Sequence, residues 1–525
     1  MIVKDVSFGD SARADLVDGI NILANAVKST LGARGQTVLI ESEHHTRGIT
    51  VTKDGVTVAN SINLMDPTQN LAVRMMKEAA DNTATSAGDG TTTAIVLAQA
   101  IILEAMDRLK PHMSIIEVLR GIRLMSKRVV ELLEGKSKKV SGRRLLDVAT
   151  VSSNNDQELG KIISDAYSEV GADGVVTVEN SSGVETFSEI ILGMKVDRGY
   201  SSKYYITDHK KGECILEKPY ILVADQEINH LSSIEHILEP IIKGGRSILI
   251  VGTVSASATN TLNLNVMKGN IKACSIIPPQ FGWKSHELME DISISTGAKY
   301  FSEDTGDNLE VIQMSDLGEA KRVIVGKDST VIVTSDSSEQ VIANRIAELH
   351  EMEATVEKSD EKDFIKERIA ILGGGVGVVY VGAGSDIEQK EKRDRVDDAV
   401  CATKAALEGG ILPGGGIALL EIASEIDMLG ESESEKVAAA ILAEAIQSPF
   451  RQILLNAGMD YKKIEAKLDK GIGYDVKNDE YGNMIKMGII DPTKVTRTAL
   501  ENAVSVATTI LSTNTIITNV RESSR

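Results

Sequence analysis

The hexapeptide GDGTTT, Gly88 to Thr93, places a carboxylate between two glycines and follows it with three hydroxyls. Consecutive backbone N–H groups at a glycine turn that opens into a helix form an anion nest, because that helix end carries roughly half a positive charge. A phosphate suits such a nest. Thr91, Thr92 and Thr93 add donors for phosphate oxygens or ligands for a cation, and Asp89 is placed to hold Mg2+ against them. The same residues also make an ordinary helix cap, for which Asp and Thr are common choices. Two further glycine clusters, TLGARG from Thr30 to Gly35 and PGGG from Pro413 to Gly416, are turns when taken alone and become informative if they converge on one ligand. None of the three follows the GxxxxGK[ST] phosphate loop, which argues against a conventional P-loop ATPase. The run GGGVGVVYVGAG, 373 to 384, has its glycines before and within a strand rather than between strand and helix, which argues against a dinucleotide turn.

The elements that must position these loops follow from periodicity. Leu16, Ile20, Leu23, Ala24, Val27 and Leu31 recur at helical spacing, and Gly32 then supplies a stop. TVLIES (37 to 42) and ITVTKDGVTVA (49 to 59) are β-rich, and the Asp-Gly pair inside the second predicts a hairpin. A helix predicted over about 67 to 86 meets the GDG break, and a second runs on from Thr91. From 192 to 375 the texture changes to β-branched runs such as YILVA and SILIVG separated by short helical patterns, which predicts an α/β domain. Segments 136–191 and 376–407 flank it and read as hinges. Beyond 408 the Ala-rich helical pattern returns, so one domain built from both chain ends, 1–135 and 408–525, is the simplest arrangement.

At 525 residues the chain is too long for a single core, and two to four domains are expected. With 42% apolar and 25% charged residues it has the balance of a folding globular chain, and with only 17 aromatic residues its interior must be built from Ala, Val, Ile, Leu and Met. A formal charge of −19 repels polyanions, which argues against nucleic acid as a partner. Cys214, Cys274 and Cys401 are too far apart and too few for a disulfide framework or a thiolate zinc site, in keeping with a reducing cytoplasm. The apolar stretch Ala94 to Met106 is interrupted by Gln99 and Glu104 and falls short of the roughly 18 residues of a membrane span. The opening MIVKDVSFGD has neither signal nor transit character, so a cytoplasmic location and no membrane are expected. His44 and His45 are adjacent in an expected loop without a helical pair at metal spacing, and no zinc is assigned.

TLGARG, TKDGVTVA, AGDGTTTAIVLAQAI, RVDDAVCATKAALEGG, PGGG and EYGNMIKMGIIDPTKVTR occur together and in order, and in this the chain resembles a group I chaperonin of the GroEL-like family from residue 4 to about 520. The resemblance implies a multidomain α and α/β fold. Its parts are a mostly helical equatorial ATP-binding domain from both chain ends, a small α/β intermediate hinge domain at 136–191 and 376–407, and an α/β apical client-binding domain at 192–375. The implied activity is ATP hydrolysis coupled to protein folding, with Mg2+ and K+. The implied partners are non-native polypeptides, a co-chaperonin lid and further copies of the chain in a homo-oligomeric, seven-membered ring. By motif match Thr30, Leu31 and Gly32 line the nucleotide, Asp89 holds Mg2+, and Gly90, Thr91, Thr92 and Thr93 wrap the phosphates. Lys53 and Asp54 lie in the matching TKDG turn, Asp54 being a catalytic candidate, and Thr30, Lys53 and Thr92 match a potassium site. Gly415, Asp475 and Asp491 complete the pocket around ribose and base. Asp398 matches the carboxylate that orients the attacking water. Periodicity alone reads it otherwise, since Val396, Ala399, Val400, Thr403 and Leu407 form the apolar stripe and leave Asp398 on the opposite face as a solvated charge.

Several segments depart from the family pattern. Its adenine segment commonly reads Tyr-Asn-Ala-Ala, whereas Tyr474, Asp475, Val476 and Lys477 stand here, replacing an amide by a carboxylate. The matching client and lid groove comprises Tyr200, Tyr204, Tyr205, Leu231, Ile234, Leu238, Leu262 and Leu264, and it carries the polar Glu235, Thr259, Asn260 and Asn263. Without the resemblance the apolar members would read as core. Pro111, His112 and Lys463 fall at positions matching contacts between rings, consistent with a single ring, and the chain ends ITNVRESSR rather than in Gly-Gly-Met. A folding machine is thus the leading expectation, with a ring-forming polypeptide holdase or scaffold of little hydrolytic turnover as the alternative.

Overall fold

Local chemistry sets the helix ends that frame the GDG turn. Asp66 caps the helix Pro67–Ala87, its carboxylate accepting from the backbone N–H groups of Thr68 at 2.8 Å and Gln69 at 2.9 Å, and Pro67 takes the first helical position, where no N–H is needed. The helix ends at Gly88, whose φ of 74° suits glycine and few other residues. Gly90, at φ 88°, opens the helix Thr91–Arg108. That helix is apolar nearly all round, with Ile95, Leu97, Ile101 and Ile102 fully buried, and burying such a side chain stabilises by about 1.5–3 kcal/mol.

The computed structural model describes residues 4–519 except 42–48, 111, 141, 172–173, 182, 210, 304–305, 336–337, 357 and 427–428; His44, His45 and Pro111 lie outside the described residues. The chain divides into two units, one of Met1–Asp165, Val178–Phe187 and Tyr380–Arg525, the other of Ala166–Thr177 and Ser188–Val379. In the first, Gly9–Lys28, Pro67–Ala87, Glu433–Ala445 and Thr493–Ser512 pack on Thr91–Arg108. Strand Lys4–Phe8 pairs antiparallel with Thr515–Asn519, Val6 opposite Ile517, so the two chain ends close one core. Helices Arg143–Ser152 and Asp386–Gly409, from the segments read as hinges, pack on each other, and the second also packs on Thr493–Ser512. Packing therefore groups them with the chain ends.

The hairpin expected at Asp54-Gly55 is corrected. Val38–Glu41 does pair antiparallel with Ile49–Thr52, but Gly55–Ser61 is a helix. Asp54 is its N-cap, accepting from Val56 N at 3.1 Å and Thr57 N at 2.9 Å, and this local capping overrides the β propensity of Val56, Thr57 and Val58.

In the second unit, strands Tyr300–Phe301, Tyr220–Ala224, Ser247–Val251 and Lys272–Ile276 form a parallel sheet in that order, joined by helices that include Glu235–Lys243, Ala256–Met267 and Trp283–Thr296. Every residue of Ser247–Val251 is buried, as in a parallel strand covered on both faces. Strands Phe187–Val196, Thr330–Val333, Arg322–Val325 and Cys214–Glu217 pair antiparallel in a second sheet. Four residues assigned to the client and lid groove, Tyr205, Ile234, Leu238 and Leu262, are buried in this unit's core, where their side chains pack with the buried strands of the sheets. Tyr200 and Leu231 are half-buried against that core, while Tyr204 and Leu264 are exposed. Among the described residues no helix is long and apolar enough to cross a membrane.

Candidate functional site

The start of the Thr91–Arg108 helix is approached by turns distant in sequence, all within the first unit. Gly55 allows the closest approach, since a Cβ there would lie 2.3 Å from Thr92 Oγ1. This seats the TKDG turn directly on the second threonine of GDGTTT. Thr91 is buried, whereas Asp89, Thr92 and Thr93 are half-buried, and Gly90 N donates to Asp89 Oδ1. On the other side, Ile411–Pro413 pairs antiparallel with Ile490–Pro492, Leu412 opposite Asp491, and the Gly416 and Gly415 amides donate to the Asp491 carboxylate. The PGGG turn therefore holds Asp491 beside Asp89.

Asp398 completes a cluster of acids. Burial in the enclosed site pushes its pKa well above the usual carboxylate range, and the charges of Asp89, Asp54, Asp397 and Asp394 push it further. Asp89 is likewise raised, chiefly by burial and then by Asp54, against the lowering effect of the Gly90 amide. Asp491 is raised to about 7 by burial and by Asp89, partly offset by its two glycine amides. Each carboxylate thus disfavours ionisation of the next. The solvated charge expected for Asp398 is corrected in part: Val396, Ala399, Val400 and Thr403 are buried as the stripe requires, and Asp398 beside them is half-buried, with Asp89 and Asp54 near enough for their charges to raise its pKa.

Among the described residues no group of three or more His, Cys, Asp or Glu side chains is packed as a ready-made metal cage. Mg2+ does not ask for one, since it commonly takes one or two carboxylates and fills its shell with phosphate oxygens and water. The donor chemistry fits that ion: several half-buried carboxylates lie near enough to oppose one another's ionisation, and a divalent cation reverses that opposition.

The remaining predicted residues divide. Thr30, Leu31 and Gly32 form a turn at the end of Gly9–Lys28, where Thr30 Oγ1 donates to Val27 O at 2.9 Å. Asn456, which nothing in its local sequence singles out, holds this turn by donating to Lys28 O and Leu31 O, both at 2.8 Å. Lys53 is half-buried beside Asp54. Asp54 already spends both oxygens on its helix cap and on Thr57 Oγ1, although a carboxylate has lone pairs for further partners. Asp475 is buried and turned into its own hairpin, accepting from Lys477 N at 2.8 Å and Asn478 Nδ2 at 2.7 Å.

The model of the TCP-1/cpn60 chaperonin family matches residues 23–521. The chain belongs to the TCP-1/cpn60 chaperonin family. Its fold is similar to two crystal structures of the chaperonin gp146 from the bacteriophage EL 2 (Pseudomonas aeruginosa), obtained in the presence of ATP-BeFx. One is 23% identical with a TM-score of 0.66, the other 24% identical with a TM-score of 0.60, and each match covers 98% of this chain and 99% of the other. The chaperonin fold, with its α and α/β units, is thereby established for this chain.

Proposed function

We propose that this chain is an ATP-hydrolysing chaperonin subunit that assembles into a homo-oligomeric ring in the cytoplasm and encloses non-native polypeptides to assist their folding. The observation that supports this reading is the packing of the Asp386–Gly409 helix on the GDG turn, where a Cβ on Gly88 would lie 2.3 Å from Cys401 Cβ, which brings the charge of Asp398 within reach of Asp89. In this reading the Gly90 turn and Thr91 to Thr93 donate to phosphate oxygens, and Asp89 holds Mg2+, which supplies charge neutralisation when bound. Thr30, Leu31, Gly32, Gly415 and Asp491 surround the nucleoside, and Thr30, Lys53 and Thr92 hold K+. Asp398 orients the attacking water and accepts its proton, and Asp54 fixes the TKDG turn against Thr92. Asp475 shapes the adenine side through its hairpin, since its oxygens serve the turn. Segments 136–191 and 376–407 act as hinge, and residues 192–375 take up clients or a lid, through exposed Tyr204 and Leu264 rather than through their buried neighbours.

Steady-state Mg-ATP hydrolysis measured beside the refolding yield of a denatured client tests the reading. Asp398→Ala should bind nucleotide and assemble as the parent does while its turnover falls about a hundredfold, the loss of about 2.7 kcal/mol of transition-state stabilisation. Equal rates in parent and variant would refute the role of Asp398. A parent that binds polypeptide and nucleotide without turnover would be a holdase instead.

A further inference from the structure

Asp398 faces Asp89 and Asp54 although all three are acids, so something other than charge must hold the Asp386–Gly409 helix against the glycine turn. The packing supplies a small-to-large fit at each glycine. A Cβ on Gly88 would lie 2.3 Å from Cys401 Cβ, and a Cβ on Gly90 would lie 2.6 Å from Val495 Cγ1. Cys401 therefore occupies the space that any other residue at 88 would need, and behind it Ala87, Ala405 and Val495 close a small apolar cluster. Residues three apart on a helix share a face, so Cys401 and Asp398 approach the turn together. The depth to which Cys401 seats on Gly88 sets how near the Asp398 carboxylate comes to Asp89.

We propose that Gly88 and Cys401 are the positioning pair for the proposed hydrolysis, the missing side chain at 88 admitting the Asp386–Gly409 helix to the range at which Asp398 works. This rests on the nucleotide-hydrolysis reading above. Neither residue touches the reacting atoms, and both act through Asp398. Displacing a positioned group by about 1 Å can lower a rate on the order of a hundredfold without altering how the substrate is held.

The test compares four variants of the full chain with the parent, measuring kcat and the nucleotide dissociation constant separately. Gly88→Ala is expected to lower kcat about a hundredfold, with the dissociation constant within about threefold. Gly88→Ala combined with Cys401→Gly should recover at least about tenfold of that loss. Alanine at φ 74° is strained in both, so the difference between them isolates the clash. Cys401→Leu, which enlarges the other partner, should show the same split between kcat and binding, and Cys401→Ser should match the parent. A purely structural role would instead lower thermal stability and binding together.

A parent that hydrolyses ATP while both Gly88→Ala and Cys401→Leu match its kcat overturns the positioning pair alone. So does a double variant no faster than Gly88→Ala. Should Gly88→Ala fail to fold, Cys401→Leu decides by itself. A parent that binds nucleotide but never turns it over sinks the functional reading and this one with it.

Discussion

The two units each enclose a cluster of charge, and the clusters are built on opposite plans. In the second unit the fully buried Asp291 accepts from Arg368 Nε at 2.6 Å, from Arg368 Nη2 at 2.8 Å and from Arg345 Nε at 3.1 Å, and the remaining guanidinium nitrogens reach Glu287, Glu290 and Glu348. Acid meets base throughout. In the first unit, Asp54, Asp89, Asp398 and Asp491 set acid against acid, and the pKa values of the last three rise, chiefly through burial and further through one another's charge. A network in which each acid meets a guanidinium, with Asp291 at its buried centre, ties the helices Trp283–Thr296, Glu339–Thr355 and Ser359–Leu372 together. A cluster of acids without bases lowers stability by mutual repulsion.

The contrast is sharpest when one member is removed from each cluster. Arg368→Ala should destabilise the second unit by about 3–5 kcal/mol, because it leaves Asp291 buried with part of its compensation gone. Chemical denaturation followed by Trp283 fluorescence would read this, and a change below about 1 kcal/mol would show that the network is not needed. Asp398→Asn should act in the opposite sense, stabilising the nucleotide-free protein by about 0.5–2 kcal/mol in EDTA, as expected where a site trades stability for function. A lower melting temperature for this variant would break the comparison.

Smaller effects probe the same difference through the solvent. Asp491 titrates near 7 in the folded protein against an ordinary value of 3.8, so the folded state holds its proton more tightly. Its contribution to stability is full below the ordinary value and is lost as pH rises through 7. In EDTA, melting temperatures of the parent should therefore decline from pH 5 to pH 8 more steeply than those of Asp491→Asn, and parallel profiles would contradict the shift. Least of all should depend on the exposed pair of Lys243 and Glu239, 2.6 Å apart on one helix face. Glu239→Ala is expected to change stability by less than about 0.5 kcal/mol.

Much of the frame was legible before any coordinates. The helix expected over about 67 to 86 is Pro67–Ala87, ended by Gly88, and GDGTTT marks the start of the next. At Asp54-Gly55 the same local chemistry was misread: the β-branched run after it suggested a strand, while an N-cap bond that spans only three residues made a helix. The groove shows the reverse failure. Family likeness nominated Ile234, Leu238 and Leu262 for a client and lid groove, whereas apolar residues read without that likeness describe the core in which all three are buried.

Glycine turns, helix caps and apolar stripes depend on neighbours within a few residues, so residue order alone was enough to specify where the GDG turn lies and which face of the Asp386–Gly409 helix is greasy. What that helix presents its other face to is a matter of packing between segments remote along the chain. Only the folded molecule brings Cys401 onto Gly88, Thr92 onto Gly55 and Asn456 onto the Thr30 turn, because each contact joins residues remote along the chain, the first two through a side chain that glycine lacks and the third through backbone carbonyls. Periodicity reports that a face is polar, and the fold decides whether it meets water or another acid.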